Sequence, residues 1–184
     1  MTEKKRISVF GSASPKPGEP LYQQAYQLGR AIAENQCDVL TGGYVGTMEA
    51  VSRGANEAGG HVIGVTCEEI EAWRPVCPNQ WIKEEIRFNT LIERLAYLAT
   101  MCDMAVALPG GIGTLAEVAF FWNTNAVSIK GHRNLVLIGD GWHNLMTQYQ
   151  ASFNNFIPDK DWGDLIYCTN VDAAIIKING LIRP

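Results

Sequence analysis

The stretch Asp103-Met-Ala-Val-Ala-Leu-Pro-Gly-Gly-Ile-Gly-Thr-Leu-Ala-Glu117 decides the fold. Its first part, 103–108, is a short apolar run of the kind that forms a strand covered on both faces. A glycine loop, 109–113, follows at once, and a helix is expected over 115–125. The same succession of strand, small-residue loop and helix occurs twice upstream. Residues 7–10 lead through Gly11-Ser-Ala-Ser14 toward a helix over 21–35, and residues 38–41 lead through Gly42-Gly-Tyr-Val-Gly46 into one over 47–58. Further strands are expected at 61–66, 134–138 and 165–168, and further helices at 85–101, 142–152 and 171–180. Residues 67–83 carry Pro75, Pro78, Trp73, Arg74 and Trp81 and read as a long loop over one end of the sheet. Strands alternating with helices imply βαβ crossovers. The expectation is an α/β fold, a Rossmann-like, mostly parallel sheet with helices on both faces, forming one domain over 1–184.

Composition narrows the function. A net charge of −4 argues against a nucleic-acid binder that works by bulk electrostatics. No apolar run approaches the roughly 20 residues of a membrane span. The charged start, Met1-Thr-Glu-Lys-Lys-Arg6, is not followed by a signal-peptide core, which points to the cytoplasm. The five cysteines are an odd number without metal-ligand spacing, so reduced, mostly buried thiols are expected and no metal site.

Parallel sheets bind ligands beyond the carboxyl ends of their strands. Glycine lets backbone N–H groups approach a ligand, and a helix N-terminus adds unpaired donors and partial positive charge. Pro109, Gly110, Gly111, Ile112, Gly113 and Thr114 are therefore a candidate phosphate loop. Gly11, Ser12, Gly42, Gly43, Gly46, Thr47 and Met48 are candidates for the rest of the cleft. Neither glycine loop is a Walker sequence or a full G-x-G-x-x-G, so a dinucleotide redox cofactor is not supported. Glu117 follows Thr114 at capping-box spacing, and on spacing alone a box with Thr114 as N-cap is the favoured reading. Its place in a first helical turn beside an anion loop also suits a ligand contact. Arg94 falls on the stripe marked by Leu91, Leu95 and Leu98, where an arginine must pair, reach out to water or bind something. Arg87, seven residues earlier, is expected on the same helical face.

Pro109-Gly-Gly-Ile-Gly-Thr-Leu-Ala-Glu117 resembles the PGGxGTxxE signature of the Lonely Guy (LOG) family, proteins long labelled possible lysine decarboxylases. Gly11-Ser, Gly42-Gly-Tyr-Val-Gly-Thr-Met48 and Gly59-Gly-His-Val-Ile-Gly64 resemble its other segments in order, so the likeness covers about 6–140. The resemblance implies hydrolysis of the N-glycosidic bond of nucleoside 5′-monophosphates to free base and ribose 5-phosphate. It also implies a homodimer and no metal or redox cofactor. The family's catalytic arginine and glutamate fall on Arg94 and Glu117. Three positions depart from the family pattern: Leu95 replaces a lysine, Ala116 a glutamate and Glu49 a glycine. Gly46-Thr-Met-Glu-Ala-Val51 looks more like a divergent branch related to the molybdenum-cofactor carrier proteins, which bind a phosphorylated pterin rather than cleave a nucleotide. A non-catalytic carrier of a nucleotide or phosphorylated pterin is thus the alternative.

Overall fold

The computed structural model describes residues 4–129 and 131–182. Seven parallel strands form one sheet in the order β4-β3-β2-β1-β5-β6-β7. They are β1 (Arg6–Phe10), β2 (Asp38–Thr41), β3 (Val62–Cys67), β4 (Glu84–Phe88), β5 (Met104–Ala107), β6 (Leu135–Ile138) and β7 (Leu165–Cys168). The helices are α1 (Pro20–Glu34), α2 (Thr47–Glu57), α3 (Glu68–Trp73), α4 (Leu91–Thr100), α5 (Ile112–Ala126), α6 (Asp140–Phe153), α7 (Asp159–Trp162) and α8 (Val171–Ile182). The expected Rossmann-like α/β architecture is present.

Each face of the sheet has its own core. On one, Ile7, Val9, Val39 and Val106 pack against Leu28 and Ile32 of α1, Val51 of α2 and Ile178 of α8. On the other, Phe10, Leu40, Val65 and Leu137 pack against Leu98 of α4, Phe121 of α5 and Met146 of α6. The inner strands β3, β5 and β6 are buried at every position, as their continuous apolar runs require.

The helix expected over 85–101 is two elements. Glu84–Phe88 is an edge strand in register with Ile63–Cys67, and α4 starts only after Thr90. The Thr90 hydroxyl accepts from the Glu93 N–H at 3.3 Å, and the Glu93 carboxylate accepts from the Thr90 N–H at 3.1 Å. This capping box fixes the helix start. An edge strand covered on one side needs no apolar run, so Glu-Glu-Ile-Arg-Phe gives little strand signal. The expected loop over 67–83 begins as α3. Among the described residues no helix is long and apolar enough to cross a membrane. Cys37, Cys67, Cys102 and Cys168 are buried free thiols, and Cys77 is exposed.

Helices α1 and α2 press together through a small residue. A Cβ added at Gly29 would stand 2.1 Å from the Val51 carbonyl oxygen. Gly29→Ala should therefore cost about 1–3 kcal/mol in urea unfolding through overpacking. Gly180→Ala, where a Cβ meets nothing within 4 Å, should instead stabilise by up to about 1 kcal/mol through helix propensity. Equal effects at the two positions would contradict the packing.

Candidate active site

The strand order reverses between β1 and β5, so the loops leaving these strands diverge and open a crevice at the carboxyl end of the sheet. The β1 loop, with Gly11 and Ser12, forms one wall. The Ser12 carbonyl accepts from the Thr47 N–H at 2.8 Å and from the Thr47 hydroxyl at 3.0 Å. This ties the β1 loop to the first turn of α2. Gly46, the N-cap of α2, has φ +75°, and a Cβ there would lie 2.4 Å from the Ser12 carbonyl oxygen. The structure thus places Gly42, Gly43, Gly46 and Thr47 as a buried scaffold behind the cleft. The first donor of α2 is already engaged.

Helix α5 is different. Its N-cap is Gly111, no side chain caps it, and Pro109, Gly110, Gly111, Ile112 and Gly113 are exposed. The first-turn N–H groups have no intrahelical acceptor, and the helix dipole adds positive charge there. A helix start of this kind can accept an anion. The helix begins three residues earlier than expected, which puts Thr114 inside the first turn, buried rather than capping. The capping box read at Thr114 and Glu117 is therefore absent, and the Glu117 carboxylate is left to meet Arg94.

Arg94 is buried, with its side chain only 6% exposed, and it projects from α4 over the ends of β3 and β2. Its Nε–H donates to the Val65 carbonyl at 2.7 Å. Its Nη1 lies 3.6 Å from Glu117 Oε1, an ion pair too long for a hydrogen bond. The guanidinium carbon sits 5.8 Å from the centre of the Tyr44 ring. A Cβ on Gly42 would stand 2.0 Å from Nη2 and 2.4 Å from Met48 Sδ, so the glycine there makes room for the arginine. Leu91 of the expected apolar stripe is exposed while Arg94 is buried.

Burial pushes the Glu117 carboxyl up to about 7, against a partial downward pull from Arg94. Such a group can give or take a proton at neutral pH. Because the folded value lies above the ordinary 4.5, Glu117 favours folding fully below about pH 4.5, and that contribution is lost as pH climbs through 7.

Arg87 does not share a helical face with Arg94, because it lies on β4. It pairs with Glu71 at 2.6 Å and stands near Glu68 and Glu85. Its link to the site runs through Glu71, whose Oε1 is 3.2 Å from the Tyr44 hydroxyl. Sequence reasoning also missed Tyr44, the Val65 carbonyl and Asn79. The Asn79 amide donates to the Gly43 and Tyr44 carbonyls at 3.0 and 2.9 Å, strapping the second glycine loop. A tyrosine inside a glycine loop was the available signal for Tyr44. Trp81 packs under Arg53 of α2, and Trp73 stays exposed beside Arg74. No group of three or more His, Cys, Asp or Glu side chains among the described residues could hold a metal ion.

Fold and site define an α/β protein with an exposed, uncapped helix start at the reversal of its sheet, beside a buried arginine–glutamate pair. The chain belongs to the SLOG cluster4 family, LDcluster4, whose sequence model matches residues 4–173. It is 31% identical over 180 residues to the cytokinin riboside 5'-monophosphate phosphoribohydrolase of Rhodococcoides fascians, covering 95% of this chain and 89% of that one. Among solved structures, it is similar to the molybdenum cofactor binding protein of Rippkaea orientalis, with TM-score 0.75, 25% identity and full coverage of both chains. The molybdenum cofactor carrier protein MCP of Chlamydomonas reinhardtii matches with TM-score 0.75, 26% identity, and 98% and 99% coverage.

Carboxyl-detected NMR of the ligand-free protein should show Glu117 titrating near pH 7. Arg94→Gln should move the midpoint higher, since the lost positive charge had favoured the ionised form. A midpoint near 4.5 in the wild type would contradict this account of the pair.

Proposed function

We propose that the protein is a phosphoribohydrolase that cleaves the N-glycosidic bond of nucleoside 5′-monophosphates in the cytoplasm. The observation that carries the reading is the buried Arg94–Glu117 pair beside the uncapped start of α5. The N–H groups of Ile112, Gly113 and Thr114 hold the 5′-phosphate, with Pro109, Gly110 and Gly111 shaping the loop. Gly11, Ser12 and Met48 border the sugar, with Gly42 and Gly43 packed behind them. Breaking the bond from C1′ to the base passes through an oxocarbenium-like state. Glu117, ionised, stabilises that positive charge and takes a proton from the attacking water. The oxygen of this water bonds to C1′, and the bond pair leaves with the base, which is protonated from solvent. Arg94 orients the carboxylate. The homology to a named phosphoribohydrolase over 95% of the chain supports this reading.

Incubation with a panel of nucleoside 5′-monophosphates should release free base and ribose 5-phosphate. Glu117→Gln should slow release by about 100- to 1000-fold. The kcat/KM of the wild type should rise with pH through a limb near 7, and this limb should vanish in Glu117→Gln. No release from any nucleotide would refute the hydrolase.

The second reading is a carrier using the same cleft. Its support is the likeness, over 98% or more of the chain, to proteins named a molybdenum cofactor binding protein and a molybdenum cofactor carrier protein. It demands stoichiometric capture of a phosphorylated ligand without turnover, which mass spectrometry of the purified protein detects.

We also propose that the chain pairs with a second copy. Ile112, Leu115, Leu145, Tyr149 and Phe156 are exposed along α5, α6 and the turn beyond. Leu115, Leu145, Tyr149 and Phe156 border a groove of about 560 Å³ between the two helices. Apolar surface of this extent beside a ligand cleft suits an interface. Sedimentation should give twice the chain mass, and Leu145→Glu should reduce it to one chain. A wild-type monomer at micromolar concentration would contradict the pairing.

A further inference from the structure

The Tyr44 ring occupies a position that neither the phosphate site nor the hydrolytic step explains. Tyr44 is 1% exposed and among the largest fully buried side chains. It leaves the Gly42–Gly46 loop, yet its side chain bonds to the end of β3 and the start of α3. The hydroxyl accepts from the Cys67 N–H at 2.8 Å. Its own proton lies within reach of the Cys67 carbonyl at 3.1 Å and of Glu71 Oε1 at 3.2 Å. Glu71 is in turn held by Arg87 on the edge strand. A tyrosine tied at its hydroxyl cannot swing, so its ring face is fixed in space. That face lies under the Arg94 guanidinium carbon.

We propose that Tyr44 is a positioning residue, whose fixed ring is the floor on which the Arg94 guanidinium rests and through which Glu71 and Arg87 brace the Arg94–Glu117 pair. Arg94 has three directed contacts. The Val65 carbonyl takes Nε, Glu117 faces Nη1, and the Tyr44 ring attracts the charge as a whole. The carbonyl fixes one atom only. The ion pair is long and cannot set the tilt of the plane. The ring supplies the remaining restraint, and Gly42 leaves the space that lets the plane lie there. The sequence agrees with this arrangement, since a bulky aromatic between glycines is a poor choice for a loop that merely turns.

The test separates charge attraction from packing. Tyr44→Phe removes the hydroxyl bonds, so it should itself raise the Glu117 midpoint above that of the wild type, an unchanged midpoint refuting the brace through Glu71 and Arg87, and it serves as the reference for the ring face. Tyr44→pentafluorophenylalanine has nearly the same shape but a ring face that no longer attracts a cation. Two readouts follow each variant: the Glu117 titration by carboxyl-detected NMR in the ligand-free protein, and kcat and KM on adenosine 5′-monophosphate. Relative to Tyr44→Phe, the fluorinated ring should raise the Glu117 midpoint, because Arg94 draws away. It should also lower kcat roughly tenfold with KM little changed. Thermal stability should be close in the two variants. A Glu117 midpoint that coincides in the two variants overturns the proposal, whatever the activity. The kcat arm rests on the hydrolase reading and the titration does not. A raised midpoint in a protein that cleaves no nucleotide therefore supports the positioning role while refuting the hydrolase.

Discussion

The buried guanidinium of Arg94 is the constraint around which the carboxyl end of the sheet is arranged. A charge this far from water must have a counter-charge and a full set of partners, since leaving one member of a buried pair alone costs about 3–5 kcal/mol. The fold supplies the counter-charge and further contacts from three elements at once. β3 offers the Val65 carbonyl, the β2 loop offers the Tyr44 ring and the space at Gly42, and α5 offers Glu117. None of these groups is adjacent to another in sequence. The sheet order brings them together, because α4 must cross from β4 back to β5 over one face of β3, β2 and β1. The crossover that builds the fold therefore also delivers the arginine.

The same geometry divides labour between the two glycine loops. The loop after β2 is buried and committed: its glycines admit Arg94 and Ser12, and its carbonyls are strapped by Asn79. The loop after β5 is exposed, and its helix start is uncapped. One loop is scaffold and the other leaves its helix donors uncapped. Glu117 sits one turn behind that helix start, where burial raises its pKa to about 7. A phosphate held at Gly111–Thr114 would place the rest of a nucleotide in reach of a carboxylate poised to exchange a proton.

Much of this was legible in the chain. Short apolar runs leading into glycine loops marked β1, β2 and β5, and a bare apolar run marked β3, because strands buried on both faces leave no alternation to confuse the reading. Arg94 was legible as a charge on an apolar stripe, and Glu117 by its place beside the anion loop. What was hidden had physical causes. β4 is an edge strand whose charged residues face water, so its pattern merged with the following helix and carried Arg87 onto the wrong element. The start of α5 at Ile112 was hidden because glycine is a weak helix former, and a Thr-x-x-Glu spacing imitated a cap. Tyr44 was passed over because its role depends on contacts with Cys67, Glu71 and Arg94, none of them local.

The central claim is that the start of α5 and the Arg94–Glu117 pair act on one ligand. A crystal structure of Glu117→Gln grown with adenosine 5′-monophosphate tests it most directly. The account predicts the phosphate on the N–H groups of Ile112, Gly113 and Thr114, with C1′ of the ribose facing residue 117. A phosphate bound elsewhere, or a ribose turned away from residue 117, would contradict it.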